Sequence, residues 1–125
     1  VAGHFNVPTV FATGDRAACT EAKSIIPQVE TAVVKEGVGH GAAISMTPNG
    51  ARRLIKEGAR SALAKIDAIK PYKIQPPVEL KIEFTEAYKG SAEDLAMKPH
   101  VERVDTRVVR TEGADVFEVL RRWWY

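Results

Sequence analysis

The sequence predicts an α/β fold, a parallel βαβ portion of a three-layer sheet followed by a smaller α+β portion. Three observations lead there. Two short apolar runs, Val7–Thr13 and Val29–Val34, flank a helical pattern. A long amphipathic helix follows them from Thr47. Beyond Pro71, Pro76 and Pro77 the pattern changes to strict alternation, Val78-Glu79-Leu80-Lys81-Ile82-Glu83-Phe84. The prolines set the expected division, residues 1–70 as the α/β part and 71–125 as the small α+β part.

Val7–Thr13 is nearly all apolar and reads as a buried strand, with Pro8 tolerable only at its start or on an edge. Gly14 ends it, and Asp15 has the side chain to cap a helix in which Ala18, Ala22, Ile25 and Ile26 share a face before Pro27 stops it. Val29–Val34 completes the unit, and a right-handed crossover makes the two strands parallel. Glu36–Gly41 reads as a glycine-rich loop. Thr47 and Pro48 then occupy the cap and first-turn positions of a helix whose stripe is Ala51, Leu54, Ile55, Ala59, Ala62, Leu63, Ile66 and Ile69.

In the second part, Ser91–Met97 reads as a short helix, with Ser91 and Asp94 spaced as a weakened capping box. Val101–Arg110 reads as one exposed strand. Asp115–Tyr125 reads as an amphipathic helix that places Val116, Leu120, Trp123 and Trp124 on one side. At the other end, Val1-Ala2-Gly3-His4 resembles a helix finishing at a left-handed Gly3, so an upstream helix, and with it an N-terminal half, is expected.

With 45% hydrophobic and 27% charged residues the composition is globular. The formal charge of +2 has both signs interspersed, which gives no electrostatic footprint for nucleic acid. No apolar stretch approaches the roughly 20 residues of a membrane span, and no signal-type segment opens the chain. The lone Cys19 excludes an internal disulfide framework and fits a reducing compartment, so a cytoplasmic location is expected. Its place inside a helix favours a small core residue over a nucleophile.

Open parallel sheets place their sites beyond the carboxyl ends of the strands, which singles out Asp15, Lys35, Glu36 and His40 as candidate substrate-binding residues. Lys35 suits a carboxylate and Glu36 an amino group; solvated charges at the edge of a loop are the competing reading. Asp15 is a cap first and a substrate contact second. His4, His40 and His100 lack metal-ligand spacing, and no catalytic residue is identified.

The segments Ala2-Gly3-His4-Phe5-Asn6-Val7-Pro8, Gly14-Asp15, Glu21-Ala22, Ile26-Pro27, Val29-Glu30-Thr31, Val34-Lys35-Glu36-Gly37, Ala42-Ala43 before Thr47-Pro48, and Pro76-Pro77-Val78, in this order, resemble the DppA-type D-aminopeptidases. The resemblance implies part of a zinc-dependent aminopeptidase that releases N-terminal D-amino acids such as D-Ala from short peptides and assembles as a homo-oligomer, a decameric ring. It also implies that the zinc ligands and the His nucleophile lie upstream of Val1, so no metal ligand is assigned here. Arg16, where the family commonly has a second Asp, and His40, where Arg is usual, depart from its pattern and bear on substrate contacts. A non-catalytic binding or assembly module, using an exposed strand edge or Trp123-Trp124, is the alternative.

Overall fold

The computed structural model describes residues 1–124. They form a mixed α/β fold with two three-stranded sheets and four α-helices, in two compact units. One unit comprises Asn6–Tyr72 with Ala2; the other runs from Lys73 onward and includes Gly3–Phe5.

In the first unit the order is β1 (Phe11–Asp15), α1 (Arg16–Ile25), β2 (Glu30–Gly39), β3 (Ala42–Ser45) and α2 (Pro48–Ala64). β1 and β2 are parallel, from Phe11 opposite Glu30 to Asp15 opposite Lys35, as the βαβ reading requires. β1 begins later than the apolar run. Pro8 has no N–H to give a ladder, and the first inter-strand bond is Glu30 N–H to Val10 O, 3.1 Å. The register slips at Gly14/Asp15, where Gly14 has φ 146°, a conformation open to glycine, and the chain turns into α1. Both α1 and α2 pack on the β1–β2 pair. Cys19, Val29, Ala32, Ala62 and Ile69 are buried, with Cys19 Sγ 3.8 Å from Ala32 O, the core position expected of this thiol.

Two readings of this part are corrected. Glu36–Gly41 is not an open loop: β2 continues to Gly39 and pairs antiparallel with β3, turning at His40-Gly41 with Gly41 at φ 80°. Ladder bonds come from the backbone, so glycines pair as well as any residue while weakening the side-chain signal that reveals strands. The left-handed residue near the start is Asn6, at φ 60°, because a 3₁₀ turn over Ala2–Phe5 carries the chain past Gly3.

α2 has the expected Thr47 cap, Oγ1 accepting from Gly50 N at 3.3 Å, with Pro48 in the first turn. It ends at Ala64, short of the apolar stripe; Ile66–Ala68 form a 3₁₀ turn, and Leu63, at 62%, and Ile66 are exposed. Glu30 accepts hydrogen bonds from Ser61 and Lys65, fastening the end of α2 to the start of β2.

In the second unit, β4 (Val78–Glu83), α3 (Gly90–Ala96), β5 (Glu102–Asp105), β6 (Val108–Gly113) and α4 (Val116–Trp124) form an antiparallel sheet of order β4-β6-β5 with two helices. β4 shows the expected alternation of inward and exposed residues. Val101–Arg110 is a hairpin rather than one strand: Asp105 Oδ1 accepts from Thr106 N at 2.6 Å, and the chain reverses at Thr106-Arg107. α3 starts at Gly90, so Ser91 lies inside the first turn and the Ser91/Asp94 box does not form. α4 is capped by Asp115, whose Oδ1 accepts from Phe117 N and Glu118 N at 2.7 and 2.8 Å. Trp123 stacks on Phe84, ring centroids 6.2 Å apart, while Trp124 is exposed; Tyr125, the end of the expected helix, lies outside the described residues. Arg110 on β6 ion-pairs with Glu79 on β4 and Glu102 on β5, joining all three strands.

Candidate site at the ends of the parallel strands

The parallel register brings Asp15, Lys35 and Glu36 together. Asp15 ends β1 opposite Lys35, and Glu36 follows on β2. Asp15 has two structural tasks: Oδ1 caps α1 by accepting from Ala17 N at 2.8 Å, and Oδ2 accepts from Gly37 N at 2.8 Å, tying the helix start to β2. These two backbone donors, Ala17 foremost, hold the Asp15 carboxyl below the usual range; desolvation opposes them, and the charges of Lys35 and Arg16 add lesser contributions in the same direction as the donors. Arg16 Nε lies 3.1 Å from Glu36 Oε2, in a pair whose side chains are 61% and 52% exposed. Lys35 makes no ion pair among the described residues.

Two depressions flank the Arg16–Glu36 pair. The smaller, about 210 Å³, is lined by the charged residues Arg16, Lys35 and Glu36 and by the apolar residues Val33, Ile44 and Met46. The larger, about 530 Å³, is lined by Asp15, Arg16, Thr20, Glu21, Ser24 and Glu36. His40 stands in the exposed β2–β3 turn and lines neither. Sequence reasoning did not include Arg16 among the binding residues, nor the wall supplied by Ile44, Ser45 and Met46. The available signal was Ala42-Ala43-Ile44-Ser45 after Gly41, a short β-type run following a glycine turn.

Among the described residues no three His, Cys, Asp or Glu side chains are grouped so as to hold a metal ion. The carboxylates of the site are instead committed to backbone N–H groups and to Arg16. The donor set does not fit zinc.

Acidification tests the structural part of Asp15. A lowered folded-state pKa means that the carboxylate's contribution to stability is complete above the unfolded value of about 3.9 and is lost as pH falls through the lower folded value. Asp15→Asn keeps an oxygen for the cap but removes the titrating group, and its amide nitrogen would face Gly37 N–H. The variant is expected to melt below the parent at pH 7, with the gap narrowing below about pH 4. Melting curves from pH 2 to 8 check this; a constant gap would show that Asp15 is not titrating as argued.

The family model described as peptidase M55, D-aminopeptidase, matches residues 1–124. The D-aminopeptidase of Bacillus subtilis (strain 168) is 36% identical over 121 residues, 94% of this chain and 43% of that protein. A solved structure, described as the Zn-dependent D-aminopeptidase DppA from Bacillus subtilis, a self-compartmentalizing protease, aligns with a TM-score of 0.89 at 32% identity, covering 98% of this chain and 44% of that one. The chain therefore spans less than half the length of each relative. With the family match running through all the described residues, the chain belongs to the D-aminopeptidase family of M55 peptidases.

Proposed function

We propose that this chain is the C-terminal part of a zinc-dependent aminopeptidase that releases N-terminal D-amino acids, such as D-Ala, from short peptides. The observation that carries it is the D-aminopeptidase family match over residues 1–124. In this reading residues 1–70 belong to the catalytic domain and 71–125 form a small domain used in assembly. Zinc ligands come from the part of the protein beyond this chain, and no reaction step is assigned to a metal held by these residues. Asp15, Lys35, Glu36 and His40 are proposed as substrate-binding, with Asp15 acting mainly by fixing Gly37 and the start of α1.

The whole protein is proposed to be a homo-oligomer, a decameric ring, working in the cytoplasm. Support for assembly is the relative described as self-compartmentalizing. No helix among the described residues is long and apolar enough to cross a membrane. The test is release of D-Ala from D-Ala-D-Ala by the full-length protein, with L-Ala-L-Ala and a chelator as controls. Zinc-dependent release with a preference for the D-peptide is expected; no release, or preference for the L-peptide, would overturn the reading. A non-catalytic assembly module is the second reading, favoured by the exposed apolar residues Val38 and Ile44 on the β2–β3 hairpin and Met46 just after it, and the absence of any release would select it.

A further inference from the structure

We infer that Arg16, with Lys35, forms a subsite for the C-terminal carboxylate of a short peptide, so that the enzyme selects peptides by their free end as well as by their N-terminal residue. The inference rests on the proposed aminopeptidase activity and extends it from the bond cleaved to the length of peptide accepted.

The argument begins with what is already satisfied at the site. The Arg16–Glu36 pair closes through Nε, at the side of the guanidinium. The end of the fork, Nη1 and Nη2, is the face that takes a carboxylate with two parallel hydrogen bonds, and no hydrogen bond or ion pair among the described residues uses it. Glu36 therefore holds the guanidinium in place without consuming its bidentate face. Lys35 lines the same depression as a second cation without an ion pair. Asp15, the nearby anion, makes its hydrogen bonds to Ala17 N and Gly37 N and forms no ion pair with Lys35 among the described residues.

The apolar lining residues bear on the size and class of the ligand. Val33, Ile44 and Met46 are apolar, which suits a small aliphatic side chain beside the bound carboxylate. At about 210 Å³ the depression is smaller than the roughly 300–1,000 Å³ of pockets that take drug-sized molecules. A terminal residue of a dipeptide or tripeptide is of the matching scale, whereas a long peptide chain would need to continue past the pair of cations.

The test compares three substrates of the full-length protein: D-Ala-D-Ala, its C-terminal amide, and D-Ala-D-Asp amide, whose only carboxylate is on a side chain. The parent is expected to favour the free dipeptide over its amide by about 10- to 100-fold in kcat/KM, carried mainly by KM, as suits loss of a charge-assisted bidentate contact. Arg16→Gln is expected to bring that ratio close to one, and Arg16→Lys to restore it only in part, because Lys lacks the fork. Position 16 is exposed, and a melting curve of each variant confirms that folding is retained. A ratio unchanged in Arg16→Gln, or a fall in which both substrates lose equally, would overturn the inference while leaving the aminopeptidase reading intact. Preference for D-Ala-D-Asp amide would assign the cations to a side-chain carboxylate and overturn the terminal one. Failure of the parent protein to cleave any of the three would overturn the proposed function itself, and this inference with it.

Discussion

Replacing Gly58 with Val is expected to destabilise the protein by about 1–3 kcal/mol, the range for forcing extra carbon into a packed contact. Gly58 lies in the middle of α2, and a Cβ built there would come 2.7 Å from Phe11 Cε2 and 3.3 Å from its Cζ. No ordinary carbon pair approaches so closely, so either the ring of Phe11 or the helix must move. Two effects compete in the smaller substitution. Gly58→Ala gains about 1 kcal/mol of helix propensity and meets a clash of similar or larger cost, so it should lie near the parent. Val adds two methyl groups and recovers less propensity, and the clash then dominates. The cause can be isolated by a double-mutant cycle: Phe11→Leu shortens the obstructing side chain, and the cost of Gly58→Val in that background should fall by more than 1 kcal/mol, beyond the roughly 0.3–0.5 kcal/mol scatter of independent sites. Denaturant unfolding of the four proteins measures it; full additivity would mean that α2 does not approach β1 at this point.

Gly58 also shows where sequence reading stops. The apolar stripe of α2 was legible because helical periodicity reports which face turns inward, and Ala62 is indeed buried on it. A glycine in such a stripe registers only as a poor helix former; that it permits close packing against Phe11 requires knowing which strand lies beneath. The same limit applies to Leu63, in the last turn of α2, and Ile66, just beyond the helix, which continue the stripe in sequence but are exposed. Periodicity marks a face and does not state what covers it.

The βαβ unit was legible because each of its signals is local: the Asp15 cap, the Pro27 stop and the two apolar runs. Elements held together by backbone pairing alone were not. β3 and the end of β2 are exposed and rich in small residues, so they carry none of the alternation that β4 displays. The β5–β6 reversal was hidden inside a run of strand-forming residues, with only Asp105-Thr106 to mark it. At the site, Asp15, Lys35 and Glu36 followed from the rule that parallel strands place function at their carboxyl ends, and the register juxtaposes Asp15 with Lys35. Arg16 entered only as a departure from a family pattern, because its pairing with Glu36 crosses from α1 to β2. His40 was read as part of a loop, and the extension of β2 to Gly39 places it in the β2–β3 turn.

Thr111→Val is expected to stabilise the protein by about 1–2 kcal/mol, an effect of opposite sign to that at Gly58. Thr111 lies on β6 with only 5% of its surface exposed, and its Oγ1 is buried without a hydrogen-bond partner among the described residues. Its neighbour two residues back on the same face of the strand, Val109, is among the most buried side chains, at 2%. A hydroxyl withdrawn from water into such surroundings loses its hydration and gains nothing in return. Valine has nearly the same shape, keeps the β-branch that suits a strand, and replaces the unsatisfied oxygen with a methyl group. The substitution therefore removes a penalty without opening a cavity. Thr111→Ala serves as the control: it also deletes the hydroxyl but leaves space where the hydroxyl and the methyl group were, and should not match the gain of Val. If Val is neutral and Ser at the same position equals Thr, the hydroxyl has a partner after all, such as an ordered water. If Val stabilises and Ser does not, the cost resides in the buried oxygen, and the inner face of β6 is an apolar core carrying one unpartnered polar atom.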